Sequence, residues 1–101
     1  LTVASLRDHL ERHFELEEHG GPLDQALHKS TRVRAEVEEL VGQHRGFSAR
    51  LARLLAEMDC GFLPPRTVQA CFALELRQIV ADLREHEGTE LLLFDRVFGA
   101  R

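Results

Sequence analysis

Five polar residues occupy positions where helical periodicity asks for apolar ones: His13, Glu17, His44, His86 and Glu90. Four of them form the same unit twice, HxxxE, in HFELE (13–17) and HEGTE (86–90). At i, i+4 spacing an imidazole and a carboxylate share one helix face, about 6 Å apart at Cβ, so both can reach one centre. A third segment contributes His44. Imidazole nitrogens and carboxylate oxygens together suit iron, zinc, copper or nickel, and the carboxylates can also bridge two cations. Buried without partners these groups would be costly, so a shared cation would also account for their burial.

Each of the five has a plainer explanation when taken alone. A single histidine on an apolar face is usually a hydrogen-bonded core residue, and one HxxxE pair can simply stabilise a helix surface. What favours a metal is the combination: three helices each carry a mid-stripe histidine, and two add a carboxylate in phase. The remaining histidines fit the surface. His9 leans about 80° from its stripe, and His19 and His28 flank a Gly-Gly-Pro turn. Glu87 sits at the edge of its stripe and is a candidate for holding an imidazole tautomer from outside. Glu18 turns about 100° from Glu17 and is expected in solvent.

The elements that must position these residues are helices. Val3, Leu6, Leu10 and Phe14 form the stripe of a first helix spanning residues 1–19, ended by Gly20-Gly21-Pro22. Residues 23–29 read as a short helical turn or ordered connection. Ser30 or Thr31 suits the N-cap of a second long helix reaching about Asp59. Its stripe is Val33, Val37, Leu40, Phe47, Leu51, Leu54, Leu55 and Met58, with Gly42 and Gly46 on its back. Cys60 to Pro65 interrupts the pattern, and Pro65 suits the first turn of a third helix. That helix, from about Arg66 to Val97 or Phe98, carries Val68, Phe72, Leu76, Ile79, Leu83, Phe94 and Val97, and would be about 45–50 Å long. Period-two alternation is missing, so the fold class is all-α.

Composition narrows the function classes. The 101 residues make one domain, with 44% hydrophobic and 30% charged residues as in ordinary soluble proteins. A net charge of -4 leaves no basic footprint for nucleic acid. No apolar run approaches the roughly 20 residues of a membrane span. The expected location is the cytoplasm, with Cys60 and Cys71 as free thiols. The chain begins at Leu1, which reads as a processed or trimmed N-terminus. HExxE at 86–90 is not the HExxH of zinc proteases. The Glu-x-x-His unit of ferritin-like di-iron proteins occurs nowhere.

LRDHLERHFELEEHGG (6–21), VEELVGQHRGF (37–47) and LREHEGTELLLF (83–94) together resemble the haemerythrin-like, or HHE cation-binding, family. The resemblance implies an up-and-down four-helix bundle around a non-haem di-iron centre, with three long helices present here and the family's first helix missing. It makes His13 and Glu17 the second-helix unit, His44 the third-helix ligand, and His86 and Glu90 the fourth-helix unit. Glu17 and Glu90 would be the bridging carboxylates. A further histidine of the oxygen carriers is replaced here by Ser48. The function implied is binding, sensing or buffering of iron, O₂ or a related small oxidant, in preference to catalysis. A di-iron oxidase or peroxidase ranks below that. The main alternative is a metal-free helical interaction module that retains the motif.

A missing helix would leave one side of the bundle uncovered, including Val3, Leu6 and Leu93. A homodimer contact, or a helix from a missing N-terminal segment, is therefore expected to close it.

Overall fold

A reciprocal pair of hydrogen bonds starts the first helix. The Thr2 hydroxyl accepts from the Ser5 N–H, and the Ser5 hydroxyl accepts from the Thr2 N–H, both at 3.0 Å. These bonds occupy donors that a helix start leaves free. The computed structural model describes residues 2–59 and 65–99. Among them the order is α1 (Val3–Glu18), α2 (Pro22–Lys29), a 3₁₀ turn (Thr31–Val33), α3 (Arg34–Met58) and α4 (Arg66–Phe98), with no strand. The all-α expectation holds. The interruption expected at Cys60 to Pro64 lies outside the described residues, as does the Cys60 thiol; Cys71 is free and exposed.

The turn after α1 works as its composition suggests. Gly20 adopts φ 80°, in the left-handed region that favours glycine. A Cβ at Gly21 would lie 1.9 Å from the Leu16 carbonyl oxygen, so the chain can pass there only without a side chain. Pro22 then opens a full eight-residue helix, where the sequence suggests a turn or connection. Leu23 and Ala26 explain the difference, because both are completely buried and anchor α2 against α1, α3 and α4. Ser30 precedes the 3₁₀ turn, so α3 begins at Arg34, a few residues later than its capping chemistry suggests.

The core is divided. Phe14, Phe47, Leu51, Leu54, Ile79 and Leu83 form one apolar cluster, flanked by Val3, Leu6, Leu10, Phe72 and Leu76. Leu23, Ala26, Val33, Val37, Leu40 and Leu93 form the other. Along α3 the chain passes from the second cluster to the first, and along α4 it returns, so the two helices run antiparallel. α1 packs on α3 and likewise runs against it. Leu93, expected on an uncovered strip, is instead 1% exposed beneath α2, while Val3 and Leu6 are half-buried. Met58 and Val68 leave their predicted core positions and are exposed. The 16 residues of α1 span only about 24 Å and cannot cover the full length of α3 and α4.

Between the two apolar clusters lies a layer of four buried polar residues. They come from α1, α3 and α4.

Candidate metal centre

Each helix delivers its polar residue from within an apolar stripe. On α1, Glu17 follows Phe14 by three residues; on α3, His44 lies between Leu40 and Phe47; on α4, His86 and Glu90 lie between Leu83 and Leu93. The flanking residues belong to the two apolar clusters, so packing those clusters forces the four polar side chains together. Glu17 is 7% exposed, His44 2%, His86 3% and Glu90 4%. Burial this deep of ionisable groups requires compensation.

Aromatic rings fix the imidazole planes. Phe14 stacks on His44 with centroids 3.9 Å apart and planes 7° from parallel. Phe47 meets His86 edge-on at 5.4 Å. Both rings belong to the first apolar cluster, which bounds the layer on this side.

The outer nitrogens of both imidazoles are occupied. His44 Nδ1–H donates to Glu18 Oε2 at 2.7 Å, and His86 Nδ1–H donates to Gln43 Oε1 at 2.5 Å. With a proton on Nδ1, each Nε2 faces inward, and in the neutral ring it carries a lone pair. The two Nε2 atoms are 3.0 Å apart. Glu90 Oε2 lies 3.3 Å from His86 Nε2 and 3.5 Å from His44 Nε2. Glu17 Oε1 lies 3.4 Å from His44 Nε2. Glu17 Oε1 and Glu90 Oε2 are buried and accept no hydrogen bond. Two imidazole nitrogens and two carboxylate oxygens therefore converge, and the two oxygens lack a hydrogen-bond partner. The space between them calls for positive charge.

Electrostatics gives the same result. Burial opposes charge on His44, but Glu17, Glu90 and Glu18 outweigh it and raise its pKa from 6.5 to about 9. Burial would also raise the Glu90 pKa, but His44 and His86 outweigh it and lower it from 4.5 to about 2. Without a metal, a proton on His44 Nε2 supplies the missing positive charge. With a metal, the ion takes that proton's place.

The five residues singled out by sequence are placed unequally. His44, His86 and Glu90 each bring one donor within 4.8 Å of the others, with Glu17 beside them. His13 is exposed, its Nε2 3.7 Å from Glu17 Oε1. Sequence reasoning misses Gln43 and the role of Glu18. Helical phase predicts Glu18 in solvent; it is largely covered because α3 packs on that flank of α1 and its side chain reaches His44. It also lines an open cleft of about 390 Å³ with Glu11, Phe14, Glu15, His44 and Ser48. Glu87, the expected outer partner, is exposed; Gln43 holds His86 instead. The signal for Gln43 is its place next to His44, on the flank of α3 that meets α4. His9, His19 and His28 are all exposed, as expected.

Fold and site together define an all-helical chain with a buried histidine–glutamate cluster able to hold a metal ion. Comparisons with protein families, curated proteins and solved structures find no match to this chain. Among the described residues no helix is long and apolar enough to cross a membrane.

Proposed function

We propose that this chain is a haemerythrin-like metal-binding bundle that binds, senses or buffers iron, O₂ or a related small oxidant. The observation that carries the metal is the convergence of His44, His86 and Glu90 ligand atoms within 4.8 Å of one another, with the buried, unpartnered Glu17 Oε1 beside them. Mixed nitrogen and oxygen donors suit a transition ion better than calcium or magnesium, which prefer oxygen alone. Iron is the metal that the sequence resemblance implies. When bound there it would supply Lewis-acid and one-electron redox chemistry.

The chain's own residues divide the remaining work. Glu17 and Glu90 neutralise the charge of the ion. Glu18 and Gln43 hold both imidazoles with Nε2 inward, the arrangement typical of metal-bound histidine. Phe14 and Phe47 restrict water and rotation of the rings.

The test is elemental analysis of protein purified without added metal, together with an absorption spectrum. Iron at fixed stoichiometry supports the proposal. His86→Ala and Glu90→Ala should each sharply reduce metal content while circular dichroism stays helical. Normal metal content in both variants defeats it.

A second reading has its own support. A protonated His44 between Glu17, Glu90 and Glu18 satisfies the charge demand without any metal, as in a structural interaction module. Protein that stays metal-free after exposure to iron, zinc and cobalt would favour that reading.

A further inference from the structure

We infer that the buried cluster is a one-cation centre, with His44, His86 and Glu90 as a two-histidine, one-carboxylate donor set and Glu17 beside His44 as a charge-balancing carboxylate. This rests on the reading of the cluster as a metal site, but departs from the paired irons that the sequence resemblance implies. The first reason is spacing. Donors bound to one ion at about 2.0–2.2 Å, at angles near 90–110°, lie roughly 2.8–3.6 Å apart. The observed separations within this set are 3.0 Å between the two Nε2 atoms, and 3.3 and 3.5 Å from these to Glu90. All three fall inside that range.

The second reason is supply. Paired cations sit about 3.5–4 Å apart and need donors on both sides. The two imidazole nitrogens are too close together to serve separate ions comfortably, so both go to the first. A second ion would then have His13 as its nearby nitrogen, and His13 is half in solvent, with Nε2 3.7 Å from Glu17 Oε1. Glu18 and Gln43 cannot help, because they hold the imidazoles from behind. The third reason is charge. Glu17 and Glu90 together balance one divalent ion. A second dication would leave excess positive charge in a buried layer between two apolar clusters, where desolvation opposes it.

The ligand class is therefore a single divalent transition ion of the zinc, cobalt or ferrous type. The experiment loads the metal-free full chain with Co(II), and separately with Zn(II). Excess ion is removed and metal per chain is counted. One ion per chain is expected, with the Co(II) visible spectrum saturating at one equivalent. The His13→Ala variant, altered at an exposed site, should keep that stoichiometry and bind within about twofold of the unaltered chain. His86→Ala should lose more than the roughly 10–100-fold that removing an outer hydrogen-bond partner costs. Two ions per chain, falling to one in His13→Ala, would overturn the one-cation centre while leaving the metal-binding proposal intact. No ion bound by the unaltered chain would overturn both.

Discussion

Glu18 Oε2 accepts a 2.7 Å hydrogen bond from His44 Nδ1, reaching from α1 to α3 behind the ring. That bond decides which nitrogen of His44 faces His86, Glu90 and Glu17. His86 has its counterpart in Gln43, a neutral amide in place of a carboxylate. The two imidazoles are thus held alike but polarised unequally, with His44 the stronger electron donor.

Glu18→Ala should therefore weaken metal binding by about 10–100-fold with little change in helical content. Glu18→Gln, which can still accept from Nδ1–H, should recover part of the loss. Competition titration against a coloured chelator measures both. Equal affinity in Glu18→Ala and the unaltered chain would show that the ring needs no outer partner.

The metal-free protein should show a pH window set by His44 and Glu90. His44 has a folded pKa of about 9 against 6.5, so its contribution is full below 6.5 and is lost as pH rises through 9. Glu90 has a folded pKa of about 2 against 4.5, so its contribution is present above 4.5 and is lost as pH falls through 2. For this pair, stability is greatest between 4.5 and 6.5. Denaturant midpoints across roughly pH 2–10 in the presence of chelator should trace that plateau, and His44→Gln should remove the alkaline decline.

Metal binding should have the opposite alkaline trend, because the ion replaces the proton on His44. Apparent affinity should rise about tenfold per pH unit toward a pH of about 9. Calorimetry near neutral pH in buffers of different ionisation enthalpy should find about one proton released per ion. No release would mean that His44 is already neutral in the free protein.

A metal held by the proposed centre should also raise the stability of the fold, since α3 and α4 both supply donors to it. At a free ion concentration about 100 times Kd the gain is about 2.7 kcal/mol. Thermal melts with and without chelator measure it. Glu90→Gln should reduce the metal-dependent rise in Tm more than it reduces Tm without metal.

Glycines should separate into two groups under substitution. Gly42 and Gly46 lie within α3 with open space where a Cβ would go, so Gly→Ala at each should stabilise by about 1 kcal/mol. Gly21→Ala should destabilise instead, because its Cβ would strike the Leu16 carbonyl. Urea midpoints compare the three directly.

Local periodicity made much of this protein legible. The stripe from Val3 to Phe14, the Gly20-Gly21-Pro22 stop, and the long helix ending at Phe98 follow from residue spacing and turn chemistry. The same 3.6-residue period brings His86 and Glu90 onto one face, because residues four apart on a helix are neighbours whatever else surrounds them. It also selects Glu17 and His44 as inward positions. Short α2 was less legible, since its eight residues gain their order from Leu23 and Ala26 buried against other helices.

Only the tertiary structure decided which inward residues meet. Helical phase gives a direction about one axis, but not which neighbour occupies that direction or at what height. The antiparallel packing of α3 and α4 sets the two Nε2 atoms 3.0 Å apart, while His13, on a related phase of α1, stays at the solvent edge. Phase alone assigns Glu18 to solvent, because its Cα–Cβ bond points away from the stripe. Its long side chain and the closeness of α3 place its carboxylate behind His44 instead. Spacing along the chain fixes partners within a helix; partners between helices depend on how the two apolar clusters pack.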